Sequence, residues 1–264
     1  MNLIALLTDF GLKDPYVGIM KGVITRINPQ ATIIDITHES RPQDVLGAAL
    51  ILASAYPYFP KGTVFCAVVD PGVGGKRRII ALETEGYRFI APDNGLLTLV
   101  CKREQILKSV SVKERKYFLK KVSPTFHGRD IFAPVAAYLA KGLDLDNLGP
   151  KAERITKLSW PEPQAQADTL TGEVIYIDHF GNAISNVDGE LLKSIFGDDL
   201  SSITVDLKGR LVQGISAYYA QVRPGEPIAL IGSAGFLEIA LRDESAEKTL
   251  GLKRGSRIIL KKGQ

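Results

Sequence analysis

Residues 63–75 read TVFCAVVDPGVGG, and this stretch decides the fold of the first half of the chain. Its apolar run stops abruptly at Asp70-Pro71-Gly72, which is typical of a buried strand that ends in a tight turn. Similar runs alternate with segments of helical spacing, which predicts an α/β domain with a mainly parallel sheet in Rossmann-like layers, covered on both faces. The predicted strands span residues 3–7, 32–36, 63–69, 79–83 and 88–91, and the predicted helices span residues 16–27, 44–56 and 128–140.

The pattern changes after Pro150, where a polar, proline-rich segment is typical of a connector. Beyond it, short apolar runs are broken repeatedly by glycine, proline or aspartate, which favours an all-β barrel or sandwich. These runs lie at residues 171–177, 202–207, 227–231, 237–241 and 256–260. We therefore expect an α/β domain at residues 1–150, a linker at 151–167 and an all-β barrel domain at 168–264.

The composition excludes several classes of protein. The chain has 264 residues, of which 45% are hydrophobic and 23% charged, unlike disordered, collagenous or coiled-coil chains. Lys and Arg outnumber Asp and Glu by only 33 to 29, a balance that indicates neither a nucleic-acid nor a membrane partner. Cys66 and Cys101 are too few for a disulfide scaffold. The apolar run at residues 3–7 is too short for a signal peptide or a membrane span, so we expect a cytoplasmic protein.

Polar side chains follow three of the predicted strands at the point where each strand ends. Asp9, Asp70 and Asn94 occupy these positions. Ligands of open parallel sheets bind beyond the carboxyl ends of the strands, so the three side chains are expected to share one rim. Taken singly, Asp and Asn at such positions more often start turns or cap helices. Their convergence favours a functional site.

The residue types alone leave the chemistry of that site open. The segment DPGVGGKRR has neither the ending of a P-loop nor a G-x-G-x-x-G pattern, which argues against a phosphate cradle. Arg77 can return to pair with Asp70, or it can lie in a solvated basic turn. His38 and His127 are equally suitable for catalysis on sequence grounds. Metal-binding histidine or cysteine spacings and the G-x-S-x-G pattern are missing, so no metal is predicted, although the rim carboxylates leave Mg²⁺ as an alternative.

Six short motifs in a fixed order carry a family resemblance that runs from about Leu3 to about Leu260. They are TDFG at 8–11, DPGVGGKR at 70–77, APDNGLL at 91–97, PTFHGRD at 124–130, IDHFGN at 177–182 and GSAGFLEIA at 232–240. With them the sequence strongly resembles the S-adenosyl-L-methionine (SAM) hydroxide adenosyltransferases, or SAM hydrolases, which are relatives of the fluorinases and chlorinases. Each motif alone is weak, whereas the ordered set is specific.

The resemblance implies an α/β domain followed by a β-barrel, assembled as a homotrimer with sites at subunit interfaces. The implied reaction is SAM plus water giving adenosine and L-methionine, without a cofactor. The family's catalytic Asp, Arg and His match Asp70, Arg77 and His127. The halogenating relatives carry Tyr where Asp70 stands, and an anionic carboxylate there would repel a halide, so water or hydroxide is the expected nucleophile.

The resemblance also implies substrate-binding residues in both halves of the chain. In the first half, Asp9 would hold the ribose diol, and Asp14 is a second partner for the methionine ammonium group. Asn94 and Phe126 would line the same site. The fluorinase has Arg beside the Ser that binds the methionine carboxylate, whereas this chain has Ala234.

In the second half, Asp178 would meet the methionine ammonium group and Asn182 the adenine edge. The other implied contacts are Phe180 and Tyr219 beside the purine or ribose, Ser233 on the methionine carboxylate, and Glu238 and Ala240 at the adenine end. For the aromatic residues, plain core or interface packing is an equally good interpretation.

Three other functions are compatible with parts of this pattern. A sensor that binds SAM or adenosine without efficient turnover would need the binding residues but not Asp70, Arg77 and His127. A halogenase is disfavoured by the Asp at position 70. A metal-dependent phosphohydrolase would use Asp9 and Asp70 and would lose activity when a chelator is added.

Overall fold

The computed structural model describes residues 2–263. The chain divides into two compact units, the first ending at Ser159 and the second beginning at Trp160. The segment predicted as a linker, residues 151–167, contains a short strand, Gln164–Gln166, which pairs with the sheet of the second unit. The polar, proline-rich composition that indicated a connector therefore belongs in part to that sheet.

A six-stranded sheet organises the first unit. Its strands are β1 (Leu3–Thr8), β2 (Thr32–Thr37), β3 (Val64–Val68), β4 (Ile79–Glu83), β5 (Arg88–Pro92) and β6 (Lys108–Ser111). They lie in the order β2-β1-β3-β5-β4-β6. The neighbouring strands β2, β1, β3 and β5 are parallel, whereas β4 runs antiparallel to both β5 and β6. Apolar runs do not encode strand direction, so the reversal of β4 was not predicted.

Helices cover both faces of this sheet, which confirms the predicted α/β architecture. The helices of the unit are α1 (Tyr16–Ile27), α2 (Val45–Ala55), α3 (Thr98–Arg103) and α4 (Ala133–Ala140). Alternate residues of β3 point to opposite faces. Cys66 packs into the core beneath α1 and α4, and Phe65 packs into the core beneath α2 and α3. Burial raises the pKa of the Cys66 thiol to about 12, which leaves it an ordinary core residue.

The helix boundaries follow local sequence signals. Helix α1 has the predicted bounds and ends at Ile27, and its C-cap Asn28 stands directly before a proline. Helix α2 begins after Asp44, whose carboxylate accepts the backbone N–H of Gly47 at 3.0 Å. The helix predicted at 128–140 begins instead with a π-helical turn, Gly128–Phe132, and continues as α4. Across residues 2–263 there is no helix with the length and apolarity needed to cross a membrane.

The second unit is built on antiparallel strands that curl nearly into a barrel, as predicted. Its strands are β7 (Gln164–Gln166), β8 (Thr169–Ile177), β9 (Ala183–Asp188), β10 (Ile203–Leu207), β11 (Arg210–Gln213), β12 (Pro227–Ile231), β13 (Phe236–Leu241) and β14 (Arg257–Lys262). The order is β11-β10-β14-β8-β9-β13-β12, with β7 paired to β8. Two short helices, α5 (Gly189–Phe196) and α6 (Ala246–Leu250), pack against the apolar core of this unit.

Strand β9 was not predicted. Its sequence, AISNVD, contains the buried polar residues Ser185 and Asn186. Polar residues in such a segment indicate a loop rather than a buried strand. Asn186 is satisfied there, because its side-chain amide donates to the Pro161 carbonyl and its oxygen accepts the N–H of Glu173, both at 2.8 Å. Four single 3₁₀ turns complete the described chain, at Tyr56–Tyr58, Arg115–Tyr117, Leu145–Leu148 and Tyr219–Gln221.

Candidate active site

The carboxyl ends of β1, β3 and β5 form one edge of the first sheet, since the three strands are parallel neighbours. Asp9 directly follows β1, while Asp70 and Asn94 each lie two residues beyond the end of β3 and β5. The structure therefore brings these residues to one rim, as the strand pattern predicted.

Arg77 joins Asp70 to His127 at this rim. Its Nε lies 3.0 and 2.9 Å from the two carboxylate oxygens of Asp70, and a terminal nitrogen donates to Oδ2 at 2.5 Å. The same terminal nitrogen lies 2.7 Å from Nδ1 of His127. The side chains of Asp70 and Arg77 are only 5% and 11% exposed, so the pair is shielded from solvent. This geometry excludes the interpretation of Arg77 as part of a solvated basic turn.

Residues that follow β5 anchor the loop between β3 and β4 at both of its ends. The side-chain amide of Asn94 donates to the carbonyl of Val69 at 2.8 Å, and its oxygen accepts a further backbone N–H. Asp93 accepts hydrogen bonds from two guanidinium nitrogens of Arg78 at 2.8 and 2.5 Å. It also accepts the backbone N–H of Thr156 at 2.7 Å. The loop that carries Asp70 and Arg77 is thereby held on either side of them.

Gly74 allows this loop to pack against the segment that leads to His127. Its φ is +75°, in the left-handed region that favours glycine. A Cβ built at this position would lie 2.3 Å from the carbonyl oxygen of Pro124. Glycine therefore permits a backbone approach that keeps Arg77 within reach of His127.

The contact with Arg77 fixes the protonation state of His127. A guanidinium group can only donate, so Nδ1 of the imidazole is the acceptor and the proton of the neutral ring resides on Nε2. Burial, and then the positive charge of Arg77, hold the pKa of His127 below its ordinary value of 6.5. The ring is therefore neutral near pH 7 and offers Nε2–H as a donor.

Asp9 is held by a residue that the sequence did not indicate. Its Oδ2 accepts the backbone N–H of Gln43 at 2.7 Å. Gln43 has a φ of +65°, a left-handed conformation that costs a residue with a Cβ about 1–2 kcal/mol. Because the contact is made by a main-chain amide, no side-chain motif could have revealed it. Strain next to an aspartate at the rim is a structural signal of function.

The other two predicted residues of the first unit lie near the start of α1. Asp14 is exposed two residues before that helix. Phe126 packs edge to face against Phe10 and Tyr16, with ring centroids 5.9 and 5.2 Å apart, and the guanidinium of Arg129 lies 5.1 Å from its ring centroid. Phe126 thus has a packing role, and its contact with substrate stays a prediction.

In the second unit, Asp178 organises the turn between β8 and β9. Its Oδ1 accepts the backbone N–H groups of Phe180 and Asn182 at 2.9 and 2.8 Å. Its Oδ2 accepts the side-chain amide of Asn182 at 3.0 Å. Asp178 and Asn182 therefore stabilise the same turn together. Phe180 projects from that turn with 74% of its surface exposed.

Glu238 forms a buried polar contact on the outer face of β13. Its carboxylate accepts the Tyr219 hydroxyl at 2.5 Å, although the residue is only 6% exposed. Burial, and then the negative charge of Asp178, raise the pKa of Glu238 despite the hydrogen bond from Tyr219. Burial and the contact with Glu238 likewise raise the pKa of Tyr219. The predicted residues Asp178, Tyr219 and Glu238 are thus close enough to interact electrostatically.

The last two predicted residues flank Glu238. Ser233 is exposed in the turn that precedes β13. Ala240 is fully buried on the same strand, where its side chain packs with Ile228 and Leu230. Contact of Ala240 with a ligand stays a prediction.

The described residues also bear on the metal alternative. Residues 2–263 contain no group of three or more His, Cys, Asp or Glu side chains placed to hold a metal ion together. Both oxygens of Asp70 are occupied by Arg77, and one oxygen of Asp9 is occupied by a backbone amide. Three of the four oxygens of these two carboxylates therefore already have protein partners.

Comparison with known proteins gives a consistent result. Residues 4–149 match the family model of the SAM hydroxide adenosyltransferase N-terminal domain, and residues 172–259 match that of the C-terminal domain. An (R)-S-adenosyl-L-methionine hydrolase from Thermus thermophilus is 39% identical, with 97% of this chain and 98% of the relative covered. A fluorinase from Nocardia brasiliensis is 31% identical, with 99% and 97% covered.

A crystal structure of a conserved protein from Thermotoga maritima superposes with a TM-score of 0.92. The two chains are 40% identical, and the match covers 98% of this chain and 100% of the other. Matches to both domain models, in order and along nearly the whole sequence, leave one assignment. The chain belongs to the SAM hydroxide adenosyltransferase family.

Proposed function

We propose that this protein hydrolyses SAM to adenosine and L-methionine by in-line attack of water on the ribose C5′. The observation that carries the proposal is the shielded contact of Asp70 with Arg77 and of Arg77 with His127 at the rim of the first sheet. Membership of the family, with relatives named (R)-S-adenosyl-L-methionine hydrolase, supports the choice of substrate.

The proposed reaction needs an oriented nucleophile more than an acid. As the bond from water oxygen to C5′ forms, the C5′–S bond breaks and its electron pair passes to sulfur, giving the neutral thioether of methionine. The sulfonium group loses its charge in this step, so a desolvated site favours the transition state over the substrate. Correct placement of water against C5′ then supplies much of the rate enhancement.

The proposed division of roles follows from the hydrogen bonds of His127. Arg77 occupies Nδ1, so the ring can hold the attacking water only by donating from Nε2. Asp70 is then the group that accepts a water proton, and Arg77 holds its carboxylate in place. We therefore propose that Asp70, rather than His127, takes the proton of the attacking water.

The proposed binding roles are those that the family resemblance implies. Asp9, aimed by the Gln43 amide, holds the ribose hydroxyls, and Asn94 supports the loop that carries Asp70. The remaining proposed contacts are Asp14 and Asp178 to the ammonium group, Asn182, Glu238 and the Ala240 backbone at the adenine, Phe126, Phe180 and Tyr219 around the purine or ribose, and Ser233 on the carboxylate.

A homotrimer with its sites at subunit interfaces is part of the proposal. The family resemblance carries this part of the proposal, in which the interfaces would cover exposed aromatic side chains near the proposed binding residues. In the first unit Tyr16 is 45% exposed, and in the second unit Phe180 and Tyr218 are 74% and 59% exposed. Light scattering is expected to give three times the chain mass, and a fully active monomer would contradict the assembly.

The decisive experiment is incubation of the purified protein with SAM, followed by chromatography. We expect equimolar adenosine and methionine, formed at the same rate with and without EDTA, and no chlorinated product when chloride is added. Because the relatives are named for the (R) form, both sulfonium epimers are supplied separately. Binding of adenosine with SAM left intact would instead identify a sensor, and loss of activity in EDTA would favour a metal-dependent enzyme.

The pH dependence of kcat/KM is expected to reflect the neutral state of His127. Protonation of Nδ1 would break the contact with Arg77, and the pKa of His127 lies below 6.5. The acid limb of the profile should therefore have an apparent pKa below 6.5. His127→Asn keeps an acceptor for Arg77 but cannot titrate, so it should be slower and lack this acid limb. An acid limb centred above pH 6.5 in the wild-type protein would contradict the assignment.

A further inference from the structure

His38 is a buried histidine for which the proposed reaction has no use. It is 3% exposed, and its ring lies between β1 and β2 at the same edge of the sheet as Asp9. Its Nδ1 lies 2.8 Å from Oγ1 of Thr8, which is fully buried. Its Nε2 lies 3.0 Å from Oδ1 of Asp35, in a close polar contact that does not have the geometry of a hydrogen bond.

The partners of His38 determine which ring nitrogen carries the proton. Asp35 is ionised: burial acts to raise its pKa, but the contacts with Lys21 and His38 outweigh burial and lower it. Its negative charge beside Nε2 favours a proton on that nitrogen. Nδ1 is then an acceptor, and the Thr8 hydroxyl donates to it.

The chain of contacts continues from Thr8 to the backbone on the far side of Asp9. Since its hydroxyl proton is directed to His38, Oγ1 of Thr8 is free to accept the N–H of Phe10, at 3.3 Å. The carbonyl of His38 also accepts the N–H of Gly11 at 2.8 Å. Both residues that flank Asp9 are therefore connected to His38, and Asp35 is itself tied to Lys21 of α1 at 2.6 Å.

We propose that His38, together with Thr8 and Asp35, is a positioning relay that sets the direction of the Asp9 carboxylate and thereby the affinity for the ribose hydroxyls of the substrate. The inference rests on the proposed function, because it needs Asp9 to bind the ribose. The Gln43 amide contacts only the carboxylate of Asp9, whereas the relay holds the backbone from which that side chain projects.

Binding of two nucleosides to the relay variants tests this inference. In Thr8→Val, which keeps the shape of the side chain and removes its hydroxyl, we expect the Kd for adenosine to rise about tenfold. The Kd for 2′,3′-dideoxyadenosine, which has no diol for Asp9 to bind, should change by less than about twofold. His38→Leu should give the same split, and His38→Asn, which retains an acceptor near Nδ1, should recover most of the adenosine affinity.

Thr63→Val is the matched control. Thr63 is as fully buried as Thr8, and its hydroxyl also makes a hydrogen bond, to the Pro60 carbonyl, but it lies at the opposite edge of the sheet, before β3. The Thr63→Val variant should leave the affinities for both nucleosides unchanged. In an Asp9→Ala background, Thr8→Val should add less than about twofold to the adenosine Kd, since the group that the relay positions is gone.

The outcomes separate this inference from the proposed function. Equal weakening of both nucleosides, or full additivity with Asp9→Ala, would show that Thr8 and His38 act only through general stability and would overturn the relay. Failure of the wild-type protein to bind adenosine at all would overturn the proposed function and the relay together.

Discussion

Replacement of Asp70 by Asn is expected to lower kcat for SAM by about 1,000-fold, while the Kd for adenosine stays within about threefold. Asn has nearly the shape of Asp but cannot accept the proton of the attacking water. It also leaves the Arg77 guanidinium, which is 11% exposed, without its counter-charge. Single-turnover rates with saturating SAM measure the first effect, and calorimetric titration with adenosine measures the second.

Glu83→Gln is the control for loss of a charge partner. Glu83 accepts a hydrogen bond from Arg88 at 2.8 Å in the same sheet, at the edge opposite to the rim. This variant should lower thermal stability slightly and leave kcat unchanged. Parallel loss of turnover and adenosine binding in Asp70→Asn would mean that Asp70 is structural rather than catalytic.

The second large effect is expected from Gly74→Ala, a change of one methyl group outside the reacting set. The left-handed backbone of Gly74 disfavours alanine by about 1–2 kcal/mol. In addition, the new methyl group would lie 2.3 Å from the Pro124 carbonyl oxygen, so the two loops must separate. Separation weakens the Arg77 contact with His127, and we expect kcat to fall by about 100-fold.

Gly142→Ala distinguishes the collision from the backbone strain. Gly142 has a comparable φ of +94°, but a Cβ there meets no atom within 4 Å. Both variants should lower the melting temperature, and only Gly74→Ala should lower kcat strongly. Equal kinetic effects of the two would show that backbone strain alone is responsible and that the approach of the loops is unimportant.

Much of the fold could be predicted because its signals are local. The continuous apolar run around Phe65 and Cys66 identified a central strand, and Asn28 before a proline marked the end of α1. Strand direction and polar interior positions depend on the tertiary structure. The reversal of β4 and the buried Ser185 of β9 therefore could not be predicted from local patterns.

In the site, too, local features could be predicted and contacts that depend on the tertiary structure could not. Asp70 and Arg77 stand in one glycine-rich loop, so their pairing was one of two interpretations that the sequence allowed. The choice of His127 over His38 as the partner of Arg77 depends on which loops pack together, which the residues alone did not reveal. Gln43 binds Asp9 through its main-chain amide. Because almost every residue has such an amide, the sequence gives no signal for this contact.

The antiparallel direction of β4 has a consequence for how the chemistry of this scaffold can change. Because β4 starts at the edge where β3 ends, one short loop carries both Asp70 and Arg77. A parallel β4 would need a crossover of about a dozen residues or more and would start at the opposite edge of the sheet, so Arg77, two residues before β4, would lie far from Asp70. The proposed proton acceptor and the residue that holds it therefore share one loop, where substitutions can change the chemistry without altering the supporting strands.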